Sequence, residues 1–317
     1  MAKKIAYRVR NWKDYNRSLI NRGNLTIWFS EDAIKSWYQK SQQIKKRGRS
    51  CIYSDAYIEL ALTIRTLFRL PLRATQGFLE GLVFMLGLNL RVSHYSRLSR
   101  RAGTLDIQLN KLKNTGKTPT DLVIDSTGLK IFGEGEWKMR THGKQKRRTW
   151  RKYHVSVDPK THEVTAIELT ESNVHDCTVL PRLLSTQKNI GKVYADGAYS
   201  YKKGFDAIAQ SGGMPSIPVR SGTTLVRKDP SPGQKLRNEL LQDIWDAGGR
   251  VAWKKASGHH RRSLVETHMF RLKTILGATL HGRSFTNQQT EAKIMANILN
   301  KMAHLGMPIS EKVCLAK

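Results

Sequence analysis

A mixed α/β sheet domain preceded by an all-helical segment is the architecture this sequence predicts, and three observations predict it. Before Thr120 the apolar positions recur at helical spacing, whereas from about Thr120 onward they form runs of strand length, three in succession and then alternating with helical stretches. The positive charge is also unevenly spread: residues 1 to 120 hold 23 basic and 7 acidic side chains, and residues 121 to 317 hold 32 and 18. These features place an all-α domain over residues 1–118 and an α/β domain over residues 119–317, the latter with a short insertion around residues 221–250 and a C-terminal helix.

Ser30 is suited to cap a helix whose first turn carries Glu31 and Asp32, and a Lys, Arg, Gly and Ser-rich loop at 41–50 follows. From Asp55 the residues Leu60, Ile64, Leu67 and Phe68 share one helical face, and Pro71 stops that helix. A second helix carries Phe78, Leu82 and Met85 on one face and ends near Gly87. A short third helix, with Ser93 as its cap and Gly103 as its end, projects Arg97, Arg100 and Arg101. Two helices, a turn and an Arg-rich third helix give the layout of a helix-turn-helix, with Tyr95, Arg97, Arg100 and Arg101 as candidate groove contacts. A three-helix bundle with a basic outer face fits the same pattern.

In the second part, DLVIDS reads as a buried strand that LKIFG continues past a Ser-Thr-Gly break. Two β-rich runs follow across the turn DPKTH, with Tyr153, Val155 and Val157 alternating in the first. A helix over about 177–186 leads to the strand GKVYA, which ends on Asp196. The remaining elements are a helix, the strand MPSIPVR, a polar stretch, the helical segment NELLQDIWDAGG and a long helix from about Gly258 to Gly277. A C-terminal helix runs from Asn287 to about His304, capped by Thr286, with Ile294, Ile298, Met302 and Leu305 on one face. This order matches a mixed sheet of the ribonuclease H type, and by analogy with that fold the first and fourth strands are neighbours.

Formal charge totals +30, from 55 Lys and Arg against 25 Asp and Glu, more than solubility needs, so a polyanionic partner is expected and double-stranded DNA fits best. The longest apolar stretch, residues 81–90, is about half of the ~20 residues that a membrane span requires. MAKKIAYRVR has no apolar h-region after it, so the expected location is the cytoplasm. Three cysteines without C-x2-C spacing suggest neither a disulfide framework nor a zinc site.

Against that charge, the carboxylates of Asp125 and Asp196 close their strands and can lie side by side at one edge of the sheet. On the long helix Arg262, Glu266 and Lys273 fall within about 40° of one another, His259 is close to that line, and Val265, Met269, Leu272 and Leu276 form an adjacent apolar stripe. Docked by that stripe, the helix would aim Glu266 at the two aspartates. The alternative is a surface helix with an Arg262 to Glu266 ion pair. Three converging carboxylates repel one another unless cations join them, and an all-oxygen donor set suits two Mg2+ ions, with Mn2+ as a substitute, for in-line attack on a phosphodiester.

The segments LVIDSTGLKIFGEGEWK, ADGAY around Asp196 and the R-x3-E-x6-K helix, together with NRGNLTIWF and FRLPLRATQGF, resemble the bacterial insertion-sequence DDE transposases of the insertion-sequence-five type. The resemblance spans nearly the whole chain. It implies catalytic, metal-holding acids at Asp125, Asp196 and Glu266, phosphate-positioning by Arg262 and Lys273, and a ribonuclease H-like core. It also implies cleavage at transposon ends and joining of the freed 3′-hydroxyls to target DNA by a homodimer or higher assembly. The broader signature has a Tyr three residues before the Arg, where this chain has His259. A related nuclease that cuts without joining and a regulator that binds DNA without chemistry are the alternatives; loss of an acid would mark the latter, and all three acids are present.

Further candidates are a basic hairpin at 138–152, whose Lys146, Arg147, Arg148 and Arg151 would lie along DNA. Trp253 could hold a flipped base or belong to the core, and Asn173, His175 and Asp176 could cap a helix or support the metal site.

Overall fold

The computed structural model describes residues 5–39, 52–111, 118–133, 150–220 and 222–314. Strand β1 (Ile5–Val9) is followed by helices α1 (Trp12–Arg22), α2 (Leu25–Trp28), α3 (Glu31–Lys35), α4 (Asp55–Leu67), α5 (Leu72–Met85) and α6 (Tyr95–Ala102). Strands β2 (Thr120–Ile131), β3 (Trp150–Val157) and β4 (Val164–Glu171) come next, then α7 (Asp176–Ser185), β5 (Ile190–Tyr194), α8 (Lys202–Gln210) and β6 (Met214–Ser216). The chain continues through α9 (Pro232–Asp246), α10 (Arg250–Ala256), α11 (Ser263–Arg271), β7 (Thr279–Leu280), α12 (Phe285–Leu305) and β8 (Ser310–Cys314).

The main sheet has the order β4-β3-β2-β5-β6, with β7 beside the far end of β2. The meander β2-β3-β4 is antiparallel, and β2 pairs with β5 in parallel, as the sequence predicts for the first and fourth strands of this region. The expected break at Ser-Thr-Gly is absent: β2 runs unbroken for 12 residues, because β3 pairs with it continuously from Val123 to Lys130. Asp125 therefore sits inside a strand, two residues past the last parallel pair, Val123 with Tyr194.

Both faces of the sheet are covered. Leu122, Ile124, Val193 and Ala195 meet α7 and α8 on one side, while Val123, Leu129, Tyr153, Val155 and Tyr194 meet α11 and α12 on the other. This burial on two sides is why His154 and Ser156, the polar partners in the β3 alternation, are as buried as their apolar neighbours. The second core continues without interruption into Trp28, Trp37, Tyr57, Ile64, Leu79 and Leu98 of the helical part, across residue 118. The chain ends are also joined, by an antiparallel β1–β8 ladder.

Several local expectations shift. Ser54, Ser284 and His94 cap α4, α12 and α6; Thr286 and Ser93 do not, and the Ser93 backbone N–H instead donates to the buried Tyr57 hydroxyl. On α5 it is Thr75, Leu79 and Val83 that turn inward, with Phe78 and Leu82 partly buried against the same core and Met85 83% exposed. Helix α9 starts at Pro232, earlier than its apolar run, through a capping box between Ser231 and Gln234. Gly233 allows its close crossing over α8, since a Cβ there would lie 2.3 Å from the Asp206 nitrogen.

Candidate active site

Parallel pairing of β2 with β5 ends at Val123 and Tyr194, so Asp125 and Asp196 emerge together just beyond that ladder. The Asp196 side chain caps a short 3-10 turn by accepting from the Ala198 N–H at 2.8 Å. Asp125 Oδ1 accepts from the Ser126 N–H at 2.8 Å. Burial pushes the Asp125 carboxyl above its ordinary range, the Ser126 N–H pulls it back, and the charges of Asp196 and Asp176 push it up again against Arg262. The two predicted aspartates are thus close enough to feel each other's charge.

The third acid arrives from the other side of the layer. The predicted single helix from Gly258 to Gly277 is present between those glycines but is not uniform: a 3-10 turn (His259–Arg262) leads into α11, and a π-helical segment (Leu272–Leu276) closes it. Its apolar stripe of Val265, Met269, Leu272 and Leu276 is buried as expected. That docking sets Arg262 Nη1 3.1 Å from Asp125 Oδ2, while Arg262 Nη2 hydrogen-bonds Glu266 Oε1. Two turns on, Lys273 Nζ donates to Thr127 Oγ1 at 2.6 Å, and Thr127 lies on the same face of β2 as Asp125. One helix edge and one strand edge therefore face each other through Arg262, Glu266 and Lys273 against Asp125 and Thr127.

The full convergence expected of the acids is not reached with the side chains as they stand. Arg262 lies between Asp125 and Glu266, whose side chain is 54% exposed. Among the described residues no group of three or more His, Cys, Asp or Glu is gathered tightly enough to hold a metal ion. The guanidinium supplies the positive charge that the pair of acids would otherwise lack.

His259 departs from the polar line expected of it. It is buried, its Nδ1 meets the Ser216 carbonyl at 3.0 Å, and its ring packs on Trp253, so a phosphate cannot reach it there. Burial also pushes its pKa down. Trp253 belongs to a core with Phe205, Leu240 and Ile244, which settles its two readings in favour of packing over holding a base.

Of the basic candidates, Arg100 is exposed, whereas Arg97 stacks over the Tyr53 ring at 5.3 Å. Arg101 pairs with Asp55 and donates to the Tyr53 carbonyl, tying α6 to the start of α4. Tyr95 carries Arg73 over its ring at 5.0 Å. Arg151 is bound by Glu171 at 2.7 Å and Gln288 at 2.8 Å and lies over Phe285, so it anchors β3 to its neighbours. Lys146, Arg147 and Arg148 lie outside the described residues.

Two family models, each described as a transposase DDE domain, match residues 20–134 and 116–301. The chain belongs to the DDE transposase family. Its fold is accordingly ribonuclease H-like, and the family is one of metal-dependent nucleases and strand transferases that act on DNA. No described helix of this transposase is long and apolar enough to cross a membrane.

Sequence reasoning left a group of side chains behind Asp125 largely unassigned. Asp176, first residue of α7, accepts from Ser126 Oγ at 3.0 Å and from Lys152 Nζ at 2.9 Å. His154 Nδ1 is 3.5 Å from the same oxygen, and its Nε2 bonds Thr170 Oγ1 at 2.9 Å. Burial pushes His154 down to about 4. Strand alternation was the available signal, because it puts Ser126 on the face opposite Asp125 and Thr127.

Proposed function

We propose that Asp125, Asp196 and Glu266 are the catalytic acids of this transposase and together hold two divalent cations, Mg2+ or Mn2+. The observation that carries the reading is the emergence of Asp125 and Asp196 beside each other past the β2–β5 ladder, facing the helix edge that bears Glu266. Asp125, whose carboxyl burial and the neighbouring Asp196 charge push up, stands beside Asp196, and the pair offers only oxygen donors, which fits a hard cation. When bound, such ions activate an attacking hydroxyl and stabilise the leaving oxygen of a phosphodiester.

The side chains divide the remaining work. Glu266 leaves Arg262 by rotation about its own exposed side chain and turns to the aspartates, which frees the Arg262 guanidinium for a phosphate oxygen. Lys273, on Thr127, presents a point charge to the DNA backbone beside Asp125. Hydrolysis at a transposon end then releases a 3′-hydroxyl, which the same acids direct at target DNA. Two ends and one target require at least a homodimer on DNA. The motif match supports the insertion-sequence-five type, with the N-terminal helices reading the ends.

Joining separates this reading from a nuclease that only cuts. Pre-cleaved end DNA, incubated with supercoiled plasmid and Mg2+, is expected to yield covalently joined product on a denaturing gel. Cleavage of uncut ends without any joined product would show a nuclease alone.

A further inference from the structure

We propose that Asp176 is a positioning residue of the acid site, bracing Asp125 from the opposite face of the sheet through Ser126. The inference rests on the reading of Asp125 as a metal-holding acid. Ser126 serves both sides at once: its backbone N–H donates to Asp125 Oδ1 at 2.8 Å, and its hydroxyl donates to Asp176 Oδ1 at 3.0 Å. The stretch of β2 that aims Asp125 is thereby tied to the first turn of α7.

Asp176 is itself held from several elements. Lys152 Nζ, from β3, lies 2.9 Å from Asp176 Oδ1 and donates to the Val174 carbonyl at 2.9 Å. His154, also on β3 and fully buried, faces the same oxygen and is fastened to β4 through Thr170. The Asp176 side chain is only 17% exposed, so these partners take the place of solvent around it. Contacts from Ser126 on β2 and from Lys152 and His154 on β3 converge on one carboxylate oxygen of α7 directly behind the proposed metal ligand. Partners of this kind set the orientation of a ligating carboxylate, and their loss costs on the order of tenfold in metal affinity.

The test is Mn2+ binding to the full-length protein, followed by electron paramagnetic resonance of the free ion, with thermal melting in parallel. Asp176→Ala is expected to weaken Mn2+ binding roughly tenfold. Ser126→Ala is expected to do the same, and the double variant to be no weaker than either single, because both act through one hydrogen bond. Should Asp176→Ala fail to fold, Ser126→Ala alone carries the measurement. Variants that melt at lower temperature but bind Mn2+ like the unaltered protein would overturn the proposal by showing a structural role only. Absence of Mn2+ binding in the unaltered protein would instead overturn the acid-site reading on which the proposal stands.

Discussion

Asp125 is held at a cost to the fold. Its carboxyl is buried beside Asp196 and Asp176, and its proton affinity is raised accordingly. A carboxyl whose folded pKa lies above its unfolded value opposes folding once both states ionise, so stability contributed by the protonated form is lost as pH rises through that window. Asp125→Asn should therefore melt at a higher temperature than the unaltered protein at pH 7 while cleaving no DNA. Melting curves without metal, paired with a cleavage assay, check both halves; a destabilised Asn variant would contradict the assigned strain. Mg2+ should raise the melting temperature of the unaltered protein and leave that of Asp125→Asn nearly unmoved, because only the former binds it in the folded state.

Helix α12 shows what patterning could and could not disclose. Ile294, Ile298 and Met302 form the apolar face read from the sequence, and all are buried. Asn297 and Asn300 are buried as well, against any reading of asparagine as solvent-facing. Asn300 donates to the Asn110 and Val164 carbonyls and accepts from the Val164 N–H, so it completes the backbone hydrogen bonds of an edge strand and of the segment before β2. Glu291 on the same helix accepts from the His281 and Gly282 N–H groups. Burial pushes its carboxyl up, but the hydrogen bond with the His281 ring, the Arg65 charge and these backbone bonds outweigh it and leave the pKa below the ordinary value. A depressed carboxyl stabilises the fold above its unfolded pKa and ceases to do so as pH falls through its folded one. Glu291→Gln should accordingly lower the melting temperature at pH 7 and narrow its gap to the unaltered protein below about pH 4. The succession of helices and strands and the buried stripe of the Gly258 to Gly277 helix were legible because each follows from local periodicity, whereas the pairing of the first and fourth strands was read by analogy with the ribonuclease H fold. The bridging of Asp125 and Glu266 by Arg262 and the inward turn of Arg101 and Arg151 were not, since a basic side chain reads the same whether it meets solvent, a carboxylate or DNA.

The helical part and the sheet share one apolar core, so α6 and Asp125 are rigidly related. With an excess of +30, binding of this body to DNA is expected to be strong and salt-sensitive. Within it the three arginines of α6 should behave differently. Arg100→Ala is expected to weaken end binding and reduce the salt slope by about one, with an unchanged melting temperature. Arg101→Ala, which breaks the contact with Asp55, should lower the melting temperature and alter the salt slope little. Equal salt slopes for the two variants would remove α6 from the proposed interface. The most direct check of the acid site is incubation of the protein with a labelled fragment carrying the element's own end, with and without Mg2+, beside Glu266→Gln. Metal-dependent release of a 3′-hydroxyl at the end boundary, lost in the variant, is the result expected; equal cleavage by Glu266→Gln would contradict the assignment of Glu266 to the catalytic acids.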